Sequence, residues 1–182
     1  MRSLLIGSIL TAVLAAASLC AQVPAPATQD LDRMGQILKE AADLQSTQPQ
    51  AVADKLGPLL AELRQLRQSG TLSPEASKIL QDALLLMIRT QSMLLMSEAE
   101  ISTSIRELLT ANPKIDDGIF NPRERLLVNK IRSAETGHYV LETTPPGATL
   151  FYLGAELSKT PADVALIAGT YRFQLRLPGY LD

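Results

Sequence analysis

The chain reads as an α+β protein in which a helical region precedes a small antiparallel β module. Three observations predict this. A run of apolar and small residues from Leu4 to Ala17 follows Arg2, the pattern of an export leader. From Asp30 to Ala134 apolar residues recur every three or four positions, the spacing of one helix face. From His138 onward the period falls to two, as in half-buried strands.

The leader is expected to span residues 1–21, with cleavage after Ala21 and a processed chain starting at Gln22. Residues 22–29, rich in Pro and Ala, read as an extended linker without a packing period. Cys20 has a second reading as the acylated first residue of a lipoprotein. Leu19 stands where such signals carry a small residue, so Cys20 is expected to leave with the leader. Retention of the apolar run as an uncleaved anchor is a third option, since it approaches the minimum span of about 17 residues. Cleavage after Ala21 would remove the only cysteine, leaving packing alone to stabilise the fold.

Residues 30–134 read as a helical-hairpin region. Asp30 is expected to N-cap a helix with Leu31, Met34, Leu38 and Ala41 on one face. A short turn over Ala51–Leu56 is expected to break at Gly57-Pro58, with Pro58 opening the next helix. That helix carries Leu59, Leu60, Leu63 and Leu66 and closes at Gly70. Ser73-Pro74-Glu75 is a strong helix start. The helix behind it, with Ile79, Leu80, Ala83, Leu84, Met87, Ile88, Leu94 and Leu95, is expected to be central. Arg89, Gln91 and its apolar length of about fourteen residues exclude a membrane span. Met87, Met93 and Met96 read as gap-fillers. Ser97 and Glu100 form a capping box before Ile101, Ile105, Leu108 and Leu109. Asn121-Pro122 starts the last helix, with Leu127, Ile131 and Ala134 inward, and Gly137 is expected to end it.

Residues 138–182 read as the β module. Strands are expected at His138–Thr143, Ala148–Leu153 and Thr170–Leu177, the last with Tyr171, Phe173, Leu175 and Leu177 on one face. Its landmarks are the turn Pro145-Pro146-Gly147-Ala148, then Gly154, Thr160-Pro161, Gly169 and Gly179-Tyr180. This order resembles the PEGA domain, with Pro146 where the family has Glu. The resemblance covers about a quarter of the chain and implies a small β-sandwich-like module of bacterial surface and envelope proteins. The family continues past its Gly-Tyr pair, so the strand Thr170–Leu177 is expected to present an open edge. A fragment of a longer frame or a partner-donated strand would account for that. The helical pair ending at Pro113 is weakly similar to tetratricopeptide repeats, although Arg89, Ile101 and Leu108 occupy positions where that family packs small residues.

Composition narrows the chemistry. With 17 basic and 19 acidic residues the net charge is −2, and without residues 1–21, 16 basic residues face 19 acidic ones. Such a balance has no general attraction for nucleic acid. One His, His138, and one Cys cannot assemble an ordinary zinc site or a metal cluster. His138 at a strand start, without a Gly-x-Ser-x-Gly elbow, reads as a surface residue rather than a catalytic base. Asp116-Asp117-Gly118 reads as an Asx turn, because Ile119, Phe120 and Pro122 interrupt any calcium loop. Glu98 and Glu100 fit a helix's first turn. Arg123, Arg125, Lys130 and Arg132 fall on opposed faces of one helix.

The sequence therefore predicts a non-enzymatic exported protein, periplasmic or envelope-associated, with no cofactor. It would bind an envelope protein partner, using a groove between helices and the small sheet. The competing reading is a secreted carboxylate-dependent hydrolase, such as a glycan-cleaving enzyme, which needs two acids about 5–9.5 Å apart in a pocket.

Overall fold

The computed structural model describes residues 28–179. The leader, its cleavage point at Ala21 and Gln22, Cys20 and Tyr180 lie outside the described residues. Five helices come first: α1 (Thr28–Leu44), α2 (Pro49–Ser69), α3 (Pro74–Met93), α4 (Glu98–Ala111) and α5 (Pro122–Glu135). Five strands follow: β1 (Thr136–Leu141), β2 (Thr149–Tyr152), β3 (Ala155–Lys159), β4 (Ala162–Ile167) and β5 (Phe173–Arg176).

Local signals set most helix ends. Ser73 accepts from the Ala76 amide with Pro74 at the first position of α3. Ser97 with Glu100 and Asn121 with Glu124 form two complete capping boxes, each satisfying amides the helix itself leaves unpaired. Gly70 closes α2 at φ 77°, a left-handed cap that a side chain would strain. Asp116 takes the Gly118 amide in the expected Asx turn. Neighbouring helices pack in sequence order, and α3 also meets α1. Leu80, Ala83, Leu84 and Ile88 are consequently fully buried.

Several expectations need correction. α1 begins at Thr28, two residues inside the expected linker 22–29, so Asp30 sits in the first turn rather than at the cap. α2 runs unbroken through Gly57 and Pro58. Pro58 lies on the solvent face, as does Asp54 one turn earlier, so water can satisfy the carbonyl that Pro58 leaves without a donor. Leu95, placed in the core by periodicity, is 79% exposed at φ 54° in the turn after α3, and Met93 is half exposed. On α5, Val128 is buried and Ala134 exposed. Gly137 does not end the helix. It pairs with Leu166 inside β1, and Thr136 serves as both C-cap and first strand residue.

The β module has two more strands than expected. β1 pairs antiparallel with β4, while β2 lies between β3 and β5, antiparallel to both. Leu150, Tyr152, Leu157, Val164 and Leu166 form the core of this module. β5 is shorter than Thr170–Leu177, and Leu175 is 44% exposed. It is an edge strand whose sheet neighbour is β2.

Two features join the module to the helices. Ile167 belongs to the helical core rather than to the strand core, and the Ala168 amide donates to the Glu135 carbonyl at 3.0 Å. The change of period at 134–138 thus marks a change of element within one packed body. No helix among the described residues is long and apolar enough to cross a membrane.

Candidate functional site

The hairpin between β2 and β3 turns through two residues, Leu153 at φ 48° and Gly154 at φ 81°, the signature of a type I′ turn. Leucine is an unusual first residue for such a turn. Here its side chain packs against both hydrophobic cores, and that burial offsets the backbone cost. Gly154 faces α3, where a Cβ would come within 2.9 Å of the Pro74 Cβ. Gly169 approaches α4 in the same way, with Thr110 Cγ2 3.2 Å from a notional Cβ. Two of the sequence landmarks are therefore points of close approach between strands and helices.

The other landmarks pin a turn. Thr160, 4% exposed, accepts the Ala148 amide on its Oγ1 at 3.0 Å and meets Thr143 Oγ1 at 2.5 Å. Its carbonyl takes the Gly147 amide and its own amide donates to the Ala148 carbonyl, both at 2.8 Å. Pro145, Pro146 and Pro161 flank this knot, and Gly179 forms a later turn at φ 88°.

Tyr152 holds the junction. Its hydroxyl donates to the Thr110 carbonyl at 2.8 Å and accepts from Arg67 Nη2 at 2.9 Å. Burial pushes the phenol above its ordinary value, and the nearby Arg67 guanidinium opposes that only in part. Tyr171 and Phe173 surround its ring at centroid distances of 5.4 and 5.6 Å. Lys114 donates to the Leu157 carbonyl on the module's other side.

Beside this junction lies an open cleft in two adjoining parts. One, about 490 Å³, is lined by Arg64, Arg67, Glu107, Tyr152, Leu153 and Arg172. The other, about 660 Å³, shares Arg67, Leu153 and Arg172 and adds Leu72, Phe151 and Arg176. Among the described residues Glu107 is the only acid lining either part, and Arg64 takes it in a two-pronged pair at 2.6 and 2.8 Å. Hydrogen bonding to Glu107 raises Arg64 further above its ordinary value. Arg67, Arg172 and Arg176 have no carboxylate within salt-bridge distance among the described residues. Arg176 lies over the Phe151 ring, 4.9 Å from its centroid, a cation–π arrangement.

Sequence reasoning did not single out Arg67, Tyr152, Arg172 or Arg176. Arg172 and Arg176 are four residues apart, but Arg67 on α2 and Tyr152 on β2 are far from them in the chain, and no local spacing links these three places. The residues it weighed for chemistry are dispersed. His138 is exposed on β1, with Nδ1 3.0 Å from Asp163 Oδ1. Asp117 pairs with Arg132 at 2.7 Å. Arg125 donates to the Phe120 carbonyl and Arg132 to that of Ile115, so two of the four cations on α5 brace the loop before it. Four cavities, the cleft's two parts among them, are each lined by at most one carboxylate among the described residues. No group of three or more His, Cys, Asp or Glu among the described residues could hold a metal ion.

Residues 136–182 match the family model of the PEGA domain. The match starts at the first residue of β1 and takes in every described strand. No curated protein and no solved structure matches the chain.

Proposed function

We propose that this chain, a helical region carrying a C-terminal PEGA domain, is an exported, non-enzymatic envelope protein that binds a partner protein in the cleft between α2, α4 and the β module. The PEGA match supports a surface or binding role. The observation that carries the reading is the cleft. Helices and the sheet meet there, and three of its four arginines, Arg67, Arg172 and Arg176, lack a carboxylate within salt-bridge distance among the described residues, beside the apolar Leu72, Phe151, Leu153 and Phe173. Binding sites combine these properties, with apolar area for affinity and a few placed charges for orientation. The leader pattern at residues 1–21 supports export.

Two measurements test this. A photo-crosslinking residue at Thr170, which lines the cleft, should give a discrete adduct in intact cells. The same residue at Leu126, 71% exposed on α5, should not. Identical adducts from both positions, or none, would remove the cleft from the binding role. Mass spectrometry of the envelope fraction should find a chain starting at Gln22. A cytoplasmic chain retaining residues 1–21 would overturn export.

A further inference from the structure

We infer that the cleft selects a short acidic peptide segment, with carboxylates placed on Arg67, Arg172 and Arg176 and apolar side chains between them. This rests on the partner-binding role proposed above and specifies the chemistry of the partner.

The argument begins with charge. Four guanidinium groups line the cleft, and its only acid among the described residues, Glu107, is already held by one of them, Arg64. Arginine offers a planar fork that matches a carboxylate in two places. Arg67 spends one donor on Tyr152, which fixes its head and leaves other N–H groups for a ligand. Arg176 is positioned over Phe151, so less side-chain freedom is lost on binding.

Spacing follows. Arg172 and Arg176 are four residues apart, roughly 13 Å along extended chain. An extended peptide with acids at positions i and i+4 matches that separation. The same pocket offers Phe151, Phe173 and Leu153, which favours an apolar residue at i+2, the position that shares the acids' face.

The same features disfavour a long polyanion. The chain as a whole is acidic, at −2, and the three cleft arginines without a carboxylate partner among the described residues span only a short length. A nucleic acid or charged polysaccharide would run beyond it onto a surface that repels it. A segment of five or six residues would not.

Binding is measured with the purified chain and a fluorescent five-residue peptide carrying Glu at positions 1 and 5, Leu at position 3 and Ser at positions 2 and 4, at low ionic strength. A peptide with Lys in place of Glu is the control. The acidic peptide should bind saturably and the basic one should not. Arg172→Gln and Arg176→Gln should each weaken binding about tenfold, while Arg123→Gln, outside the cleft, should leave it unchanged. Raising the salt to about 0.5 M should weaken it further, because exposed charges are then screened. Arg172 and Arg176 are exposed side chains, and circular dichroism confirms that the variants fold.

Equal binding of both peptides, no saturable binding, or full affinity in the two glutamine variants would overturn the inference. So would inorganic phosphate or a single-stranded oligonucleotide competing as well as the peptide. If the Thr170 crosslink still yields its adduct while the acidic peptide fails, only the assignment of partner chemistry falls.

Discussion

The Tyr152 hydroxyl on β2 donates to the Thr110 carbonyl on α4 at 2.8 Å, joining residues 42 positions apart in sequence. The bond sits in the last turns of α4, where carbonyls lack an intrahelical partner or compete for one. With Arg67 donating to the same oxygen, one phenol ties two helices to the central strand of the sheet.

Tyr152→Phe should keep the ring and lose both bonds. Leaving polar groups without their partner should cost about 1–2 kcal/mol, read as a lower urea midpoint with an unchanged slope. The substitution also isolates a pH effect. Burial raises the phenol's folded value above its unfolded one, so its contribution is complete below pH ~10 and is lost as pH rises through the folded value. The wild-type chain should therefore lose more stability than Tyr152→Phe between neutral and strongly alkaline pH. Parallel losses would show that the hydroxyl is not coupled to folding.

Gly154→Ala and Gly147→Ala separate strain from collision. Both positions have positive φ, 81° and 97°. A Cβ at Gly147 meets nothing within 4 Å, whereas one at Gly154 collides with Pro74. Gly147→Ala should cost about 1–2 kcal/mol from backbone conformation alone. Gly154→Ala should cost clearly more and loosen the junction, measured as faster amide exchange at β2 and at the start of α3. Equal costs would mean that the helix yields without resistance.

Pro58→Ala should stabilise the chain. It restores an amide donor to the carbonyl of Asp54, and interior proline costs an α-helix up to about 3 kcal/mol. The gain should be smaller, about 1–2 kcal/mol, because proline also restricts the unfolded chain. A lower melting temperature in Pro58→Ala would contradict this account of α2.

Thr160→Val should be among the costliest conservative changes in the β module. Its shape is kept, yet the Ala148 amide, on a residue 3% exposed, loses its acceptor. An unpaired buried donor costs about 1–3 kcal/mol. Thr143→Val, which keeps that acceptor, should cost less. The order of the two urea midpoints checks the assignment.

The starts of α3, α4 and α5, the central place of α3 and the shift from a period near four to a period of two are written in the residues themselves. These are local quantities: Ser73, Ser97 and Asn121 act on amides three residues away, and Leu80, Leu84 and Ile88 repeat within one helix. The landmark order from Pro145 to Gly179 was legible for the same reason. The β4 alternation of Ala162, Val164 and Leu166 against Asp163 and Ala165 is equally present in the residues. Continuity of α2 through Pro58 was not legible, because it depends on which face of the helix meets water. Nor was the turn at Leu153, whose positive φ is tolerated only because two cores meet on its side chain. The cleft belongs wholly to tertiary structure. Arg67 on α2 and Arg172 and Arg176 near the end of the chain come together only when Tyr152 seats the sheet against α4. Long-range packing and charge placement are set by which surfaces meet, and no spacing along the chain encodes that.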